Sequence, residues 1–340
     1  MNNPRILFIC KRRLDDYKNS FGLFNSASFV ANFLNSQGIE AKSIMVVDGN
    51  AIDREVVSYN PTHVIVEAMW VTYEKFEELL SLKRHQGRSW IVRIHSKIPF
   101  LANEGIAFSW LNKYIELTEK YNNFIIAPNN KEVAKDLEEI LGLKTLYLPN
   151  VYLPHYYDFE PSMKEKGHID IGCFGAIRPM KNQLIQAIAA IKFANRIGKK
   201  LKFHINGGRQ EQKGDQVYKN LVALFEGHEQ HTLIIHPWMP HDKFVHVIRK
   251  MDIGLQVSLS ETFNIVAADF VDNNIPIIGS YDIEWLPRCF KTNPNSSNSI
   301  MHSLMFTWIT RKLGLHHLNR AYLYFYNWVA KRKWIKFLGI

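Results

Sequence analysis

Short, unbroken apolar runs alternate along the chain with longer stretches whose apolar residues recur every three or four positions. Ile6–Cys10, His63–Glu67, Trp90–His95 and Phe124–Pro128 are of the first kind, and their length and β-branched content predict parallel strands buried on both faces. Ala41–Val47 is a further strand. Leu23, Ala27, Val30, Ala31 and Leu34 share one helical face and Gly38 ends that helix, while Tyr73–Lys83 and Lys131–Leu141 read as amphipathic helices. Leu146–Asn150 closes this half. The alternation lapses over Val151–Gly167, which carries two prolines and no period, as a linker would. It then restarts, with strands at Ile169–Gly175, Lys202–Asn206, Thr232–Ile235 and Ile253–Val257 and helices at Asn182–Asn195, Asp215–Phe225 and His241–Lys250. Ser299–Ile340 is helical by pattern. The expectation is an α/β protein of two doubly wound domains, residues 1–155 and 156–298, with C-terminal helices over 299–340. A chain of 340 residues is longer than one core usually supports. Ligands of such sheets sit at the carboxyl ends of the strands, here expected to face across an inter-domain cleft.

The stretch Ser258–Ser280 carries the chemistry most clearly. Ser260 is a candidate N-cap ahead of Glu261, the apolar run Phe263, Ile265, Val266, Ala267, Phe270 and Val271 has helical spacing, and Ile275-Pro-Ile-Ile follows as a strand. Unpaired N–H groups at a helix start attract anions. A carboxylate at that place suits a ligand that also carries hydroxyls, since it accepts from two of them. A phosphate joined to a polyol meets both conditions, and an ordinary capped helix is the plainer alternative. A second signal is strand–Gly175-Ala-Ile-Arg178-Pro-Met-Lys181–helix. A glycine there lets backbone approach a ligand, and two cations three apart can grip a diphosphate; the alternative is a solvent-facing pair. Gly207-Gly208 ends another strand, where a left-handed turn would explain it equally. Gly22 follows the first strand, beyond the charged loop Lys11–Lys18. His95 stands last in its strand, open to a structural reading.

The net charge of +10 adds an anionic partner to the picture: nucleic acid, anionic lipid or a phosphorylated sugar. Three cysteines, Cys10, Cys173 and Cys289, lack metal spacing and predict free thiols in a reducing compartment. The histidines show no metal-ligand spacing either. There is no Gly-x-Ser-x-Gly and no Walker loop, no apolar window long enough to span a bilayer, and no signal peptide in Met-Asn-Asn-Pro-Arg.

Together these residues resemble the GT-B fold retaining glycosyltransferases of the group called family 4. The resemblance covers about residues 5–290 and rests on Gly22, His95, Pro149-Asn150, Gly175…Arg178…Lys181, Gly207-Gly208 and Glu261-x7-Asp269 before Pro276. The family has two glutamates eight apart; here the second is aspartate. Its N-terminal loop has paired glycines; here it is Gly22-Leu23. The resemblance implies that Arg178 and Lys181 hold a donor diphosphate, with the backbone N–H groups of Thr262, Phe263 and Asn264 on the same phosphates and Gly22, Gly175 and Gly207 among the residues of the donor site. It places Glu261 on donor-sugar hydroxyls, Asp269 on the ribose, and His95 near sugar and acceptor. No obligatory metal or cofactor is implied; the co-substrate is a nucleotide-diphosphate sugar, expected to be a UDP-sugar.

The acceptor is open. Basic charge and an aromatic tail suit DNA, as in phage enzymes that glycosylate hydroxymethylated pyrimidines. A lipid-linked or surface polysaccharide is the alternative, with the tail Asn319–Ile340 as an interfacial helix that carries Lys331-Arg332-Lys333 and Lys336. A third expectation packs that tail back on the first domain. A nucleotide-sugar epimerase or a non-catalytic binder on the same fold remains as another class. The expected location is the cytoplasm (a host's, if phage-encoded), or the periphery of the inner membrane, with no integral membrane segment.

Overall fold

The computed structural model describes residues 3–12, 22–154 and 166–339. Residues 13–18 of the charged loop and 155–165 of the expected linker lie outside the described residues. The chain divides into two compact units, Met1–Leu153 with Asn327–Ile340, and Pro154–Tyr326.

In the first unit the order is β1 (Arg5–Lys11), α1 (Gly22–Ser36), β2 (Glu40–Val46), α2 (Ala51–Tyr59), β3 (His63–Glu67), α3 (Tyr73–Ser81), β4 (Ser89–Ile94), α4 (Ile98–Leu101), α5 (Ala107–Lys120), β5 (Phe124–Pro128) and α6 (Lys131–Leu141). All strands are parallel, in the order β2-β1-β3-β4-β5. Each central strand is apolar along its length because helices cover both faces; Ile6 to Ile9, Val64 to Val66 and Trp90 to Val92 are all buried. Leu146–Leu148 extends the ladder by donating to the Ile126 and Pro128 carbonyls at 3.1 and 3.0 Å. The sequence reading lacked α2 and α5, although Leu111, Tyr114 and Leu117 line the buried face of α5 at helical spacing. The C-terminal stretch completes this core: Trp334 is fully buried, its ring 5.8 Å from Phe8 and its Nε1 donating to the Pro149 carbonyl at 2.8 Å.

The second unit runs β6 (His168–Gly172), α7 (Gln183–Arg196), β7 (Lys200–Asn206), α8 (Gly214–Glu226), β8 (His231–His236), α9 (His241–Ile248), β9 (Ile253–Gln256), α10 (Ile265–Asp272), β10 (Ile277–Ser280), β11 (Lys291–Thr292), α11 (Ser297–Thr310) and α12 (His317–Leu338). The last helix continues past Tyr326 into the first unit. The sheet is again parallel, ordered β11-β10-β9-β6-β7-β8. Order reverses at β6, which has β9 on one side and β7 on the other. The crevice beyond its carboxyl end is therefore where a ligand fits.

One expected boundary moves. The helix after β9 starts at Ile265, not near Ser260. Asn264 is the N-cap, held in the left-handed region (φ 63°, ψ 86°), and its side chain accepts from the Ala267 N–H at 2.9 Å. Asparagine tolerates that conformation and supplies the capping oxygen at once. Glu261, Thr262 and Phe263 thus precede the helix.

Candidate active site

The loop after β6 is built around a glycine that no other residue could replace without strain. Gly175 has φ of +112°, and its N–H donates to Asn206 Oδ1 at the end of β7 at 2.9 Å. The chain then pairs with the segment after β7: Ile177 donates to the Arg209 carbonyl and accepts from the Glu211 N–H, both at 2.9 Å. A Cβ on Gly214 would lie 2.0 Å from the Ile177 carbonyl oxygen, so α8 can start this close only because Gly214 has no side chain. These contacts fix Arg178, whose Nη1 reaches Glu211 Oε2 at 3.4 Å. Glu211 also accepts from Arg209 Nε at 2.7 Å, so two arginines converge on one acid. The sequence reading missed Arg209, which follows the Gly207-Gly208 pair it had singled out. Those glycines are not in a left-handed turn. A Cβ at Gly207 would meet Ile235 Cγ2 at 2.3 Å, and one at Gly208 the Trp238 nitrogen at 2.7 Å, so close packing against the segment from β8 explains them.

Lys181 ends a single 3-10 turn, after which Asn182 in the left-handed region opens α7. Asn182 ties this turn to the opposite loop by donating to the Val257 and Pro294 carbonyls at 3.1 and 2.8 Å. Lys181 Nζ then lies 2.5 Å from Glu261 Oε2, with both side chains 13% exposed. The same oxygen accepts from Ser258 at 3.3 Å and Asn264 at 3.2 Å. The Glu261 N–H donates to Asp282 at 3.0 Å, and Asn264 also donates to Gln256 Oε1 at 3.0 Å. Eighty residues apart in the chain, Lys181 and Glu261 form one polar cluster at the carboxyl ends of β6 and β9. Beside it, the first-turn N–H groups of Ile265 and Val266 have no acceptor within the helix.

Phe263 is buried against Trp285 and Tyr326, at ring distances of 5.8 and 5.4 Å, and its carbonyl accepts from Trp285. It anchors the loop by its ring. Asp269 lies in the body of α10 and is almost fully buried; its Oδ1 pairs with His241 Nε2 at 2.8 Å. Burial disfavours the His241 cation, but the Asp269 hydrogen bond and the charges of Asp269, Asp242 and Asp272 outweigh it and raise its pKa.

In the first unit His95 stands one residue beyond β4, not within it. Its Nε2 contacts Glu67 Oε2, and its Nδ1 lies 3.1 Å from Asn129 Nδ2. Glu67 is fully buried and takes both oxygens' worth of contact from Arg93 Nη1, at 3.0 and 3.2 Å. Arg93 is completed by the Leu148 carbonyl at 3.0 Å and Asn150 Oδ1 at 2.5 Å. Burial opposes ionisation of Glu67, yet the adjacent Arg93 charge holds its carboxyl below the usual range; burial likewise lowers the pKa of His95. His95 is then a neutral ring donating from Nε2 to a carboxylate. Gly22 opens α1, and nothing in its own surroundings marks it further. Among the described residues, no three His, Cys, Asp or Glu side chains are grouped to hold a metal ion.

No protein-family profile and no curated protein matches the chain. Solved structures do. It superposes on sucrose-phosphate synthase from Thermosynechococcus elongatus with a TM-score of 0.70 at 11% identity, over 98% of both chains. With trehalose-6-phosphate synthase OtsA the TM-score is 0.72 at 10% identity, over 98% of this chain and 99% of the other. With Anabaena HepE in complex with UDP-glucose it is 0.64 at 12% identity, over 97% and 95%. The chain has a GT-B fold. The expectation drawn from strand alternation and the resemblance holds at that level, and within it the Lys181–Glu261 cluster occupies the strand-end crevice of the second sheet.

Proposed function

We propose that the protein is a retaining glycosyltransferase that uses a UDP-sugar. The Lys181–Glu261 contact carries the reading, because it sets a cation and a hydroxyl-accepting acid together at the switch point of the second sheet. Three GT-B structures to which the chain is similar are a sucrose-phosphate synthase, a trehalose-6-phosphate synthase and a complex with UDP-glucose, which supports a sugar nucleotide as donor.

In this reading Pro154–Tyr326 binds the donor. Arg178 and Lys181 hold its diphosphate, the backbone N–H groups from Thr262 through the first turn of α10 bind the same phosphates, and Gly175 lets the backbone come close to it, whereas the space beside Gly207 is filled by Ile235. A diphosphate entering the crevice competes with Glu261 for Lys181, which frees Glu261 to accept from the sugar hydroxyls. Asp269, paired with His241, receives the ribose. The bond from the sugar's anomeric carbon to the departing phosphate oxygen breaks, and the acceptor oxygen bonds to that carbon on the same face. The acceptor's proton passes to the departing phosphate. Arg178 and Lys181 stabilise the charge that accumulates on that group, the largest electrostatic contribution available here. His95, in the first unit, is assigned to the sugar and acceptor side. The scheme uses no metal or cofactor.

For the acceptor, the net charge of +10 suits the polyanion of hydroxymethylated DNA, and equally an anionic lipid surface. A lipid-linked or surface glycan is supported by a different observation: half of the large exposed hydrophobic side chains among the described residues fall between Phe306 and Trp328. Three of these eight, Ile309, Leu313 and Leu318, are aliphatic and offer no face for a base to stack on. The test is to incubate the protein with candidate UDP-sugars and either hydroxymethylcytosine DNA or a glycolipid extract, and to follow UDP release. Release with the extract alone removes the DNA reading, and release with DNA alone removes the lipid one. Sugar-nucleotide binding without release in any pairing would leave a binder on a transferase fold.

A further inference from the structure

The first unit contains a groove of about 750 Å3 between α1 and the end of α12. Its floor is apolar (Phe33, Trp328, Ile335) and its rim carries Lys331, Arg332 and Lys336, with no acidic side chain in the lining. The cations already lie on the aromatics: Lys331 Nζ is 5.3 Å from the Phe33 ring centroid, and Arg332 Cζ is 4.0 Å from that of Trp328. The whole stretch from Arg311 onward has seven Lys or Arg and no acid.

We propose that this groove docks the protein on an anionic phospholipid surface, taking a lipid phosphate on Lys331, Arg332 and Lys336 above the apolar floor. Charge complementarity selects an anion, and the apolar floor selects an amphiphilic one. A Trp with flanking Lys and Arg at the surface is the composition that settles at a bilayer interface. Within the groove lining itself Leu153 and Ile335 are aliphatic. Aliphatic side chains gain from lipid but offer no face for a base to stack on, which favours lipid over nucleic acid. Among the described residues no helix is long and apolar enough to cross a membrane, so the mode is lateral contact. This inference stands apart from the transferase reading, because it is tested without donor or acceptor.

The experiment is flotation of the full-length protein with vesicles of phosphatidylcholine alone, and with vesicles in which a third of the lipid is phosphatidylglycerol. Binding to the anionic vesicles, weak or absent with neutral ones, is expected. Arg332→Glu with Lys336→Glu, both at exposed positions, should weaken it at least about tenfold, since each cation near an anionic surface contributes several-fold. Trp328→Phe should keep the fold but remove part of the tryptophan quenching by brominated lipid. No binding to anionic vesicles, or equal binding to both kinds, overturns the proposal. So does binding that the double charge reversal leaves unchanged. A DNA duplex that displaces the protein from vesicles, with quenching equal in wild type and Trp328→Phe, would make the groove a general polyanion site and overturn it too.

Discussion

Both units place a Lys or Arg on a Glu at the carboxyl ends of their strands, yet the two pairs are built for different ends. In the first, Glu67 and Arg93 are fully buried, and Leu148, Asn150 and His95 complete their bonding inside the same unit. In the second, Lys181 and Glu261 are each 13% exposed, and the residues around them hold the Glu261 side chain through one oxygen. Removing a partner from a sealed pair strands a charge in a low-dielectric interior, whereas a pair beside water can exchange its partner for a ligand. Position at a strand end is common to both, so it does not by itself distinguish a binding site from a brace. The degree to which the pair is closed by its own unit does.

The comparison breaks most plainly if the sealed pair proves dispensable. Arg93→Met should destabilise the protein by about 3–5 kcal/mol, the usual effect of stranding a buried carboxylate, seen as a lower midpoint in urea unfolding. A change under about 1 kcal/mol would show that Glu67 is solvated after all. Glu261→Ala should reduce sugar transfer by about a thousandfold with the melting temperature close to wild type; equal turnover would remove Glu261 from the site. Lys181→Ala should weaken UDP binding, read by calorimetry, and slow turnover by about a hundredfold. If nucleotide affinity were unchanged, the diphosphate grip would lie elsewhere.

The smallest effect concerns His241. Its pKa is raised in the fold by Asp269, so the pairing contributes stability that is fully present below the unfolded-state value and is lost as pH rises through the folded one. His241→Gln should cost about 1–2 kcal/mol in acid. The gap from wild type should narrow as the pH rises above neutrality. A gap that widens with pH would mean the imidazole stabilises the fold in its neutral form.

Much of the fold was legible because a parallel strand buried on both faces must be apolar throughout. β3, β5 and α6 fall where the pattern sets them. α5 was missed although its apolar spacing is regular, because Lys, Glu and Asn separate the apolar positions and the stretch has no clear cap. At the site, Glu261, Lys181 and Arg178 could be named from residue type and place in a strand–loop–helix unit. What could not be read was pairing across the chain: that Lys181 meets Glu261, that Glu211 gathers Arg178 and Arg209, and that Asp269 is matched by His241. The start of α10 was misplaced for a related reason. A serine before a glutamate looks like a cap in sequence, and only backbone geometry shows that Asn264 in a left-handed conformation takes that role.

The tie between Trp334 and the Pro149 carbonyl, with Asn327 accepting from the Tyr152 N–H at 2.9 Å, has a consequence for biogenesis. The second unit is contiguous in sequence and ends at Tyr326, whereas the first needs residues made after it. On a translating ribosome the first sheet emerges early but has to wait for the indole that caps Phe8 and Arg93. At ordinary elongation rates that wait is roughly 10–40 s. The half-finished amino-terminal sheet is the species a chaperone would meet in that interval.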